Sequence, residues 1–243
     1  MTNICLGGVL AVFVAAPVFA QVDPIRVALT EAVKEVSSAR IEATVRKLCD
    51  FGTRHPLSRT DSDTEGTGAA RKWLQASYEE IAKTSGGRLT VALQAAKVPL
   101  RRAGMPSEIE VVNIIATLRG TTEPERVYVV GGHYDSRNGK GGDAVNLAPG
   151  AVDDASGTAV AMEACRVLAK REFPATIVFV AYDGEEQGLL GSKAHAAEMA
   201  DAGAEIDGMI TCDIVGNTMG MDGRRYTDFV RCFSYSRTGN DSL

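Results

Sequence analysis

The 243-residue chain, 45% hydrophobic and 23% charged, carries enough apolar material for a sizeable core in one domain, and this composition excludes wholesale disorder. Its net charge of −5, with no long Lys/Arg run, argues against a nucleic-acid partner or an acidic membrane surface. No internal repeat and no long low-complexity segment divides it.

Residues 1–20 carry no charged side chain. Val9 to Ala16 is wholly apolar, and Val18-Phe19-Ala20 puts small residues at −3 and −1 of a cleavage site before Gln21. This reads as a secretory signal and predicts a secreted or periplasmic protein. The apolar run is shorter than the roughly 20 residues that cross a bilayer, so no stable membrane span is expected after cleavage. Four of the five cysteines lie beyond residue 20, and none has CxxC spacing, which speaks against a zinc knuckle or redox motif. Export would allow a disulfide without specifying a pair.

Residues 21–60 read as an N-terminal helical segment, with helices at 24–35 and 38–49. In the second, Ile41, Val45, Leu48 and Cys49 recur at helical spacing behind an N-cap at Ser37 or Ser38. Phe51-Gly52 and Pro56 stop it. The main domain, 61–243, opens with a helix at 65–83 whose Ala69, Trp73, Leu74 and Tyr78 face a core, and Ser85-Gly86-Gly87 turns the chain. Strands follow at 88–95, 109–118 and 127–130. A helix at 155–169, a strand at 175–182, a helix at 188–200 and a strand at 208–212 complete an alternating series. Such alternation predicts parallel βαβ units with helices covering a mostly parallel central sheet. The continuous run ATIVFVAY fits a strand buried on both faces. Residues 214–227 read as a loop and 229–234 as a strand.

Ligands of such sheets bind beyond the carboxyl ends of the strands, and that is where the chemistry-bearing residues fall. GGHYDS (131–136) places Asp135 two positions after His133, on the same side of an extended chain, where it can accept the second ring N–H and orient the imidazole for metal binding. In PGAVDDASG (149–157), one of Asp153 and Asp154 can cap the following helix while the other ligates and bridges two metals. AYDGEEQGLLGS (181–192) sets Glu185 beside Glu186. Two adjacent acids at the end of a buried strand call for a cation: one binds it and the other takes a proton from the water it acidifies. TCDIVGN (211–217) ends a strand on Asp213, a ligand or the start of a turn. His55 and His195, the remaining histidines, are expected to be structural. No GxSxG elbow and no GxxxxGK[ST] loop supports a serine hydrolase or a nucleotide triphosphatase.

These motifs, in this order, resemble those of the M28 family of zinc aminopeptidases, secreted bacterial type. FGTRHPLS (51–58) is similar to the segment ahead of that catalytic domain, and the resemblance spans roughly residues 38–235. It implies an α/β/α zinc-exopeptidase-like fold and two co-catalytic Zn2+ ions. By motif, His133 and Asp213 resemble ligands of the first zinc, Asp153 the bridging carboxylate and Glu186 a ligand of the second. Glu185 resembles the general base and Asp135 the residue that orients His133. The implied reaction is hydrolysis of N-terminal residues from peptides with a free amine, by a water activated between the two zinc ions.

One departure stands out. The family's second zinc takes a further His well downstream of CDIVGN, and this chain has no His after His195 and stops at Leu243. The expectation is therefore a peptidase domain incomplete at its C-terminus, with reduced zinc stoichiometry and little turnover. The alternatives are a non-catalytic fragment or pseudoenzyme, or a related zinc carboxypeptidase or glutaminyl cyclase on the same scaffold.

Overall fold

The structure, a computed structural model, describes residues 24–100, 104–220, 222–228 and 230–233. The expected export signal at 1–20 lies outside the described residues. The chain divides into a unit of residues 1–34, in which helix α1 (Pro24–Lys34) is described, and a unit of residues 35–243. Among the described residues, no helix is long and apolar enough to cross a membrane.

In the larger unit, α2 (Ser38–Cys49) is capped by Ser37, whose side chain accepts the Arg40 N–H. Helix α3 (Gly66–Ala82) buries Ala69, Ala70, Leu74 and Tyr78 on one stripe, the face that its apolar spacing requires. Strands β1 (Leu89–Pro99), β2 (Glu108–Leu118), β3 (Glu123–His133), β4 (Ala175–Tyr182) and β5 (Glu205–Thr211) form a single sheet. Helix α4 (Ser156–Leu168) connects β3 to β4, and α5 (Leu190–Asp201) connects β4 to β5. The sheet order is β1-β2-β4-β3-β5. β4, β3 and β5 are mutually parallel, as the βαβ pattern requires, while β1 and β2 add an antiparallel half, so the sheet is mixed. β1 and β2 follow one another across a short connection, which an antiparallel pair tolerates and a parallel pair does not.

The core lies mainly between the sheet and α2, α3 and α4. Leu48, Phe51, Leu74, Tyr78, Ile114, Cys165 and Phe179 meet there, each almost fully buried. Burial of a large apolar side chain of this kind contributes roughly 1.5–3 kcal/mol. On the other face, Val127, Val129, Val178, Val180 and Tyr182 pack with Met199 of α5. β4 is buried along nearly its whole length, as ATIVFVAY predicts.

Three elements differ from expectation. β3 begins at Glu123 rather than at 127, because Glu123-Pro124-Glu125-Arg126 has no apolar signature and joins the strand through a register shift. β5 begins at Glu205 rather than at 208 and is exposed along nearly its whole length: among the described residues it pairs with β3 alone and forms the sheet edge. No strand is found over 230–233, the described part of the stretch expected as a strand at 229–234. Cys49, Cys165, Cys212 and Cys232 are free thiols.

Candidate metal centre

β3 lies between β4 and β5, and all three run the same way, so their carboxyl ends open on one rim. His133 is the last residue of β3, and Tyr182, opposite it, is the last of β4. Thr211 of β5 sits opposite Gly131, so continuing that register brings Asp213 level with His133. The Cys212 N–H bonds to the Gly131 carbonyl at 2.8 Å and carries the pairing one residue further. Gly150 to Ser156 then brings the α4 turn over the same rim.

Donor atoms of His133, Asp153 and Asp213 lie within 4.8 Å of one another. His133 Nε2 is 3.2 Å from Asp153 Oδ1 and 3.8 Å from Glu185 Oε2. This nitrogen is buried, and despite its nearness to Asp153 it has no aligned hydrogen-bond partner. The other ring nitrogen, Nδ1, faces the Asp135 carbonyl at 3.2 Å and its carboxylate at 3.3 Å. The imidazole is thus held from behind and presents a bare nitrogen to a ring of carboxylates. Burial works against charge on this ring, yet the close approach of the Asp135 and Asp153 carboxylates, with the charge of Asp154, raises its pKa to about 11. The centre demands a positive charge at Nε2, as a proton or as a cation. A nitrogen with carboxylate oxygens is a donor set that suits zinc.

The two aspartates of the turn divide the work. Asp153 is half-exposed and turned to His133, and that contact lowers its pKa. Asp154 is fully buried and makes no approach to the donor cluster. It accepts the His133 N–H at 3.0 Å, the Gly157 N–H at 2.8 Å and the Ile214 N–H at 3.3 Å. One carboxylate thus ties together the end of β3, the first turn of α4 and the segment after β5. Burial raises its pKa to about 7. The Asp153–Asp154 peptide is cis. Ile214, next to Asp213, has a left-handed φ of 52°, a conformation that costs a β-branched residue about 1–3 kcal/mol and persists where neighbours enforce it.

Asp135 serves two partners. Besides backing His133, its carboxylate accepts the Glu185 N–H at 3.0 Å and the Glu186 N–H at 3.2 Å, so it also fixes the loop after β4. Burial raises the pKa of Glu185, with Asp135, Asp213 and Asp153 adding to the rise and His133 opposing it. Glu186 is not brought into the His133–Asp153–Asp213 cluster. It pairs with Arg137, with Nε 2.7 Å from Oε2. A cleft of about 960 Å³ beside Glu185 and Glu186 is walled by Val98, Leu100, Leu190, Arg137 and Lys193.

Neither remaining histidine joins the cluster. His195 is buried, with Nδ1 3.1 Å from the Tyr182 hydroxyl, and His55 Nδ1 accepts the Leu57 N–H at 3.1 Å. The capping expected of one of the two aspartates falls to Asp154, while sequence reasoning missed two buried groups, Asp183 and Arg54. Asp183 accepts the Val112 N–H at 3.0 Å and faces Arg71 at 3.6 Å. A signal for Arg54 was available only as its place in FGTRHPLS, since a cation inside a short polar stretch gives no sign of burial.

Residues 113–223 match peptidase family M28. A probable zinc metalloprotease of Leptosphaeria maculans is 46% identical over 202 residues, which is 83% of this chain and 47% of that protein. The chain spans about half the length of the curated relatives it matches. A leucine aminopeptidase precursor from Bacteroides thetaiotaomicron superposes with a TM-score of 0.60 at 19% identity, covering 76% of this chain and 65% of that one. A glutaminyl cyclase from Fimbriiglobus ruber gives 0.57 at 23% identity, covering 73% and 61%. At these identities the two structures share the fold with this chain.

Proposed function

This chain belongs to peptidase family M28, and from that premise we propose that it is a zinc-dependent aminopeptidase that hydrolyses N-terminal residues from peptides with a free amine. The observation that carries the reading is the buried, unpartnered His133 Nε2, facing Asp153, Asp213 and Glu185. His133, Asp153 and Asp213 would hold one zinc. The second oxygen of Asp153, with Glu186 released from Arg137, would contribute to a second. Zinc, when bound, supplies Lewis acidity toward the scissile carbonyl and makes water acidic enough to be deprotonated near neutrality.

The chain's own residues do the rest. Glu185 stands at the rim with a pKa raised by burial, which suits a carboxylate that accepts a proton from the attacking water and returns it to the leaving amine. Asp135 holds His133 Nδ1 from behind and aligns Glu185 through its main-chain N–H, so that donor and base share one support. The cleft beside Glu185 offers a wall for the substrate. The apolar, uncharged residues 1–20 support export, and hence action outside the cell or in a periplasm.

The test compares wild type with Glu185→Gln in the zinc-loaded 243-residue chain, on amino-acid anilides with free and with acetylated amines. The expected result is hydrolysis of the free-amine substrate alone, lowered about 10²–10⁴-fold in Glu185→Gln with zinc content retained. Because the readout is a ratio, it holds at any absolute rate. Equal cleavage of blocked and free substrates, or a rate indifferent to Glu185→Gln, overturns the reading.

A further inference from the structure

Arg54 is fully buried, and no carboxylate lies within ion-pair distance of it among the described residues. Its guanidinium instead spends its donors on main-chain carbonyls. Nε donates to Tyr134 O at 2.6 Å. Nη1 donates to Leu48 O at 2.9 Å and to Pro149 O at 2.7 Å, and Nη2 donates to Gly150 O at 3.0 Å. The Arg54 main-chain N–H donates to Ser136 Oγ at 3.0 Å, and that hydroxyl donates to Ala148 O at 2.6 Å.

These acceptors are not scattered. Tyr134 sits between His133 and Asp135, and its carbonyl fixes the plane of the peptide that leads into Asp135. Pro149 and Gly150 open the turn that delivers Asp153. Three of the four guanidinium bonds therefore land on the segments that bear His133 and Asp153, two of the three donors, and the fourth anchors them to the end of α2. Gly150 has φ +45°, and a Cβ there would meet Asp153 O at 2.5 Å, Ser136 Cβ at 2.7 Å and Arg54 Nη2 at 3.0 Å, so the guanidinium is one of three neighbours that close around this turn. Packing alone does not call for a charge here, since a buried cation carries a desolvation cost that a neutral side chain avoids. Burial lowers the Arg54 pKa to about 10, and the neighbouring Cys49, Asp135, Asp154 and Asp153 oppose that lowering.

We infer that Arg54 is a positioning residue for the metal centre: its fork locks the His133–Asp135 strand end and the Asp153 turn into one donor geometry. This rests on the reading of His133, Asp153 and Asp213 as metal donors. The planar fork is what joins two separate backbone segments, and a lysine keeps the charge without the fork.

The experiment measures Co2+ affinity and the visible absorption of the Co2+ complex in the full 243-residue chain for wild type, Arg54→Lys, Arg54→Met and His133→Ala. It is run at a temperature at which each variant retains the wild-type near-ultraviolet circular dichroism. Arg54→Met is expected to bind Co2+ about 10–100-fold more weakly, the range typical when a group behind a metal ligand is lost, with an altered absorption band. Arg54→Lys is expected to fall between, since an ammonium can still donate to some of these carbonyls but cannot span both segments as the fork does. Wild-type affinity and spectrum in a folded Arg54→Met overturn the inference and leave Arg54 as a clamp of the fold. Failure of both variants to fold at any temperature overturns it in the same direction. If wild type binds Co2+ no better than His133→Ala, the metal reading itself has failed, an outcome distinct from equal binding by wild type and the Arg54 variants.

Discussion

β3 ends inside the molecule and β5 ends at its edge, yet each delivers a donor to the same centre. Val129 of β3 is 2% exposed, whereas Ile210 of β5 is 63% exposed. At the end of β3, His133 is backed by Asp135, and its N–H is held by Asp154. At the end of β5, Asp213 has no comparable packing of its own. It is placed by the neighbouring Ile214, strained and tied to Asp154, and by Cys212, pressed against the first turn of α4. The comparison teaches that one donor is positioned by its strand and the other by a helix end on the far side of the rim. A donor on an edge strand needs such outside support, because strand pairing on one side alone leaves its direction loose.

The largest way to break this comparison is Gly157→Ala. An added Cβ would stand 2.1 Å from Cys212 O and 2.5 Å from Asp154 Oδ2. Cys212 O is main chain and the Asp154 carboxylate is pinned by three N–H groups, so the segment carrying Asp213 must move off the α4 turn. The expected cost is about 3 kcal/mol in thermal unfolding, with metal affinity lost alongside. A variant that unfolds and binds metal like wild type would show that α4 does not place Asp213.

A proton count sharpens the β3 side of the comparison. The His133 pKa, raised to about 11 in the folded chain, lies above its unfolded value near 6.5. The sign follows: in the metal-free chain, the ring proton contributes stability that is complete below about pH 6.5 and lost as pH rises toward 11. A metal entering at Nε2 must expel that proton. Binding at pH 7.5 is expected to release about one proton, and apparent affinity to rise about tenfold per pH unit between roughly 7 and 9. Calorimetry in buffers of different ionisation heat reads this directly, and binding without proton release would remove His133 from the donor set.

The smallest effect belongs to the edge. Ile210→Lys is expected to change stability by less than about 0.5 kcal/mol, because the side chain is already in water, while lowering any concentration-dependent association in sedimentation. A large loss of stability would mean that β5 has a support other than β3.

Much of the centre was legible in the chain. His133, Asp153, Glu185, Glu186 and Asp213 were all picked out at element ends, and His133, Asp153 and Asp213 converge. The order of parallel strands brings their carboxyl ends together, and apolar runs such as ATIVFVAY mark those strands plainly. Glu186 was read as a zinc ligand, and in the structure it faces Arg137, a contact between two loops that no local pattern encodes. Spacing alone left open which of Asp153 and Asp154 caps and which ligates, the resemblance pointed to Asp153 as the ligand, and the turn has Asp153 at the rim and Asp154 in the interior. The strand at 208–212 was legible, but its exposure depends on where it lies in the sheet.

By itself, then, the sequence determined which segments are helices and strands and which donor types stand at their ends, because periodicity and residue chemistry are local properties. The tertiary structure alone decided that Asp154 ties three segments together, which strand is the edge, and that Arg54 sits under the site. Those outcomes depend on backbone angles at one turn and on groups brought together from distant parts of the chain, and burial gives such groups their strength only once the fold has closed around them.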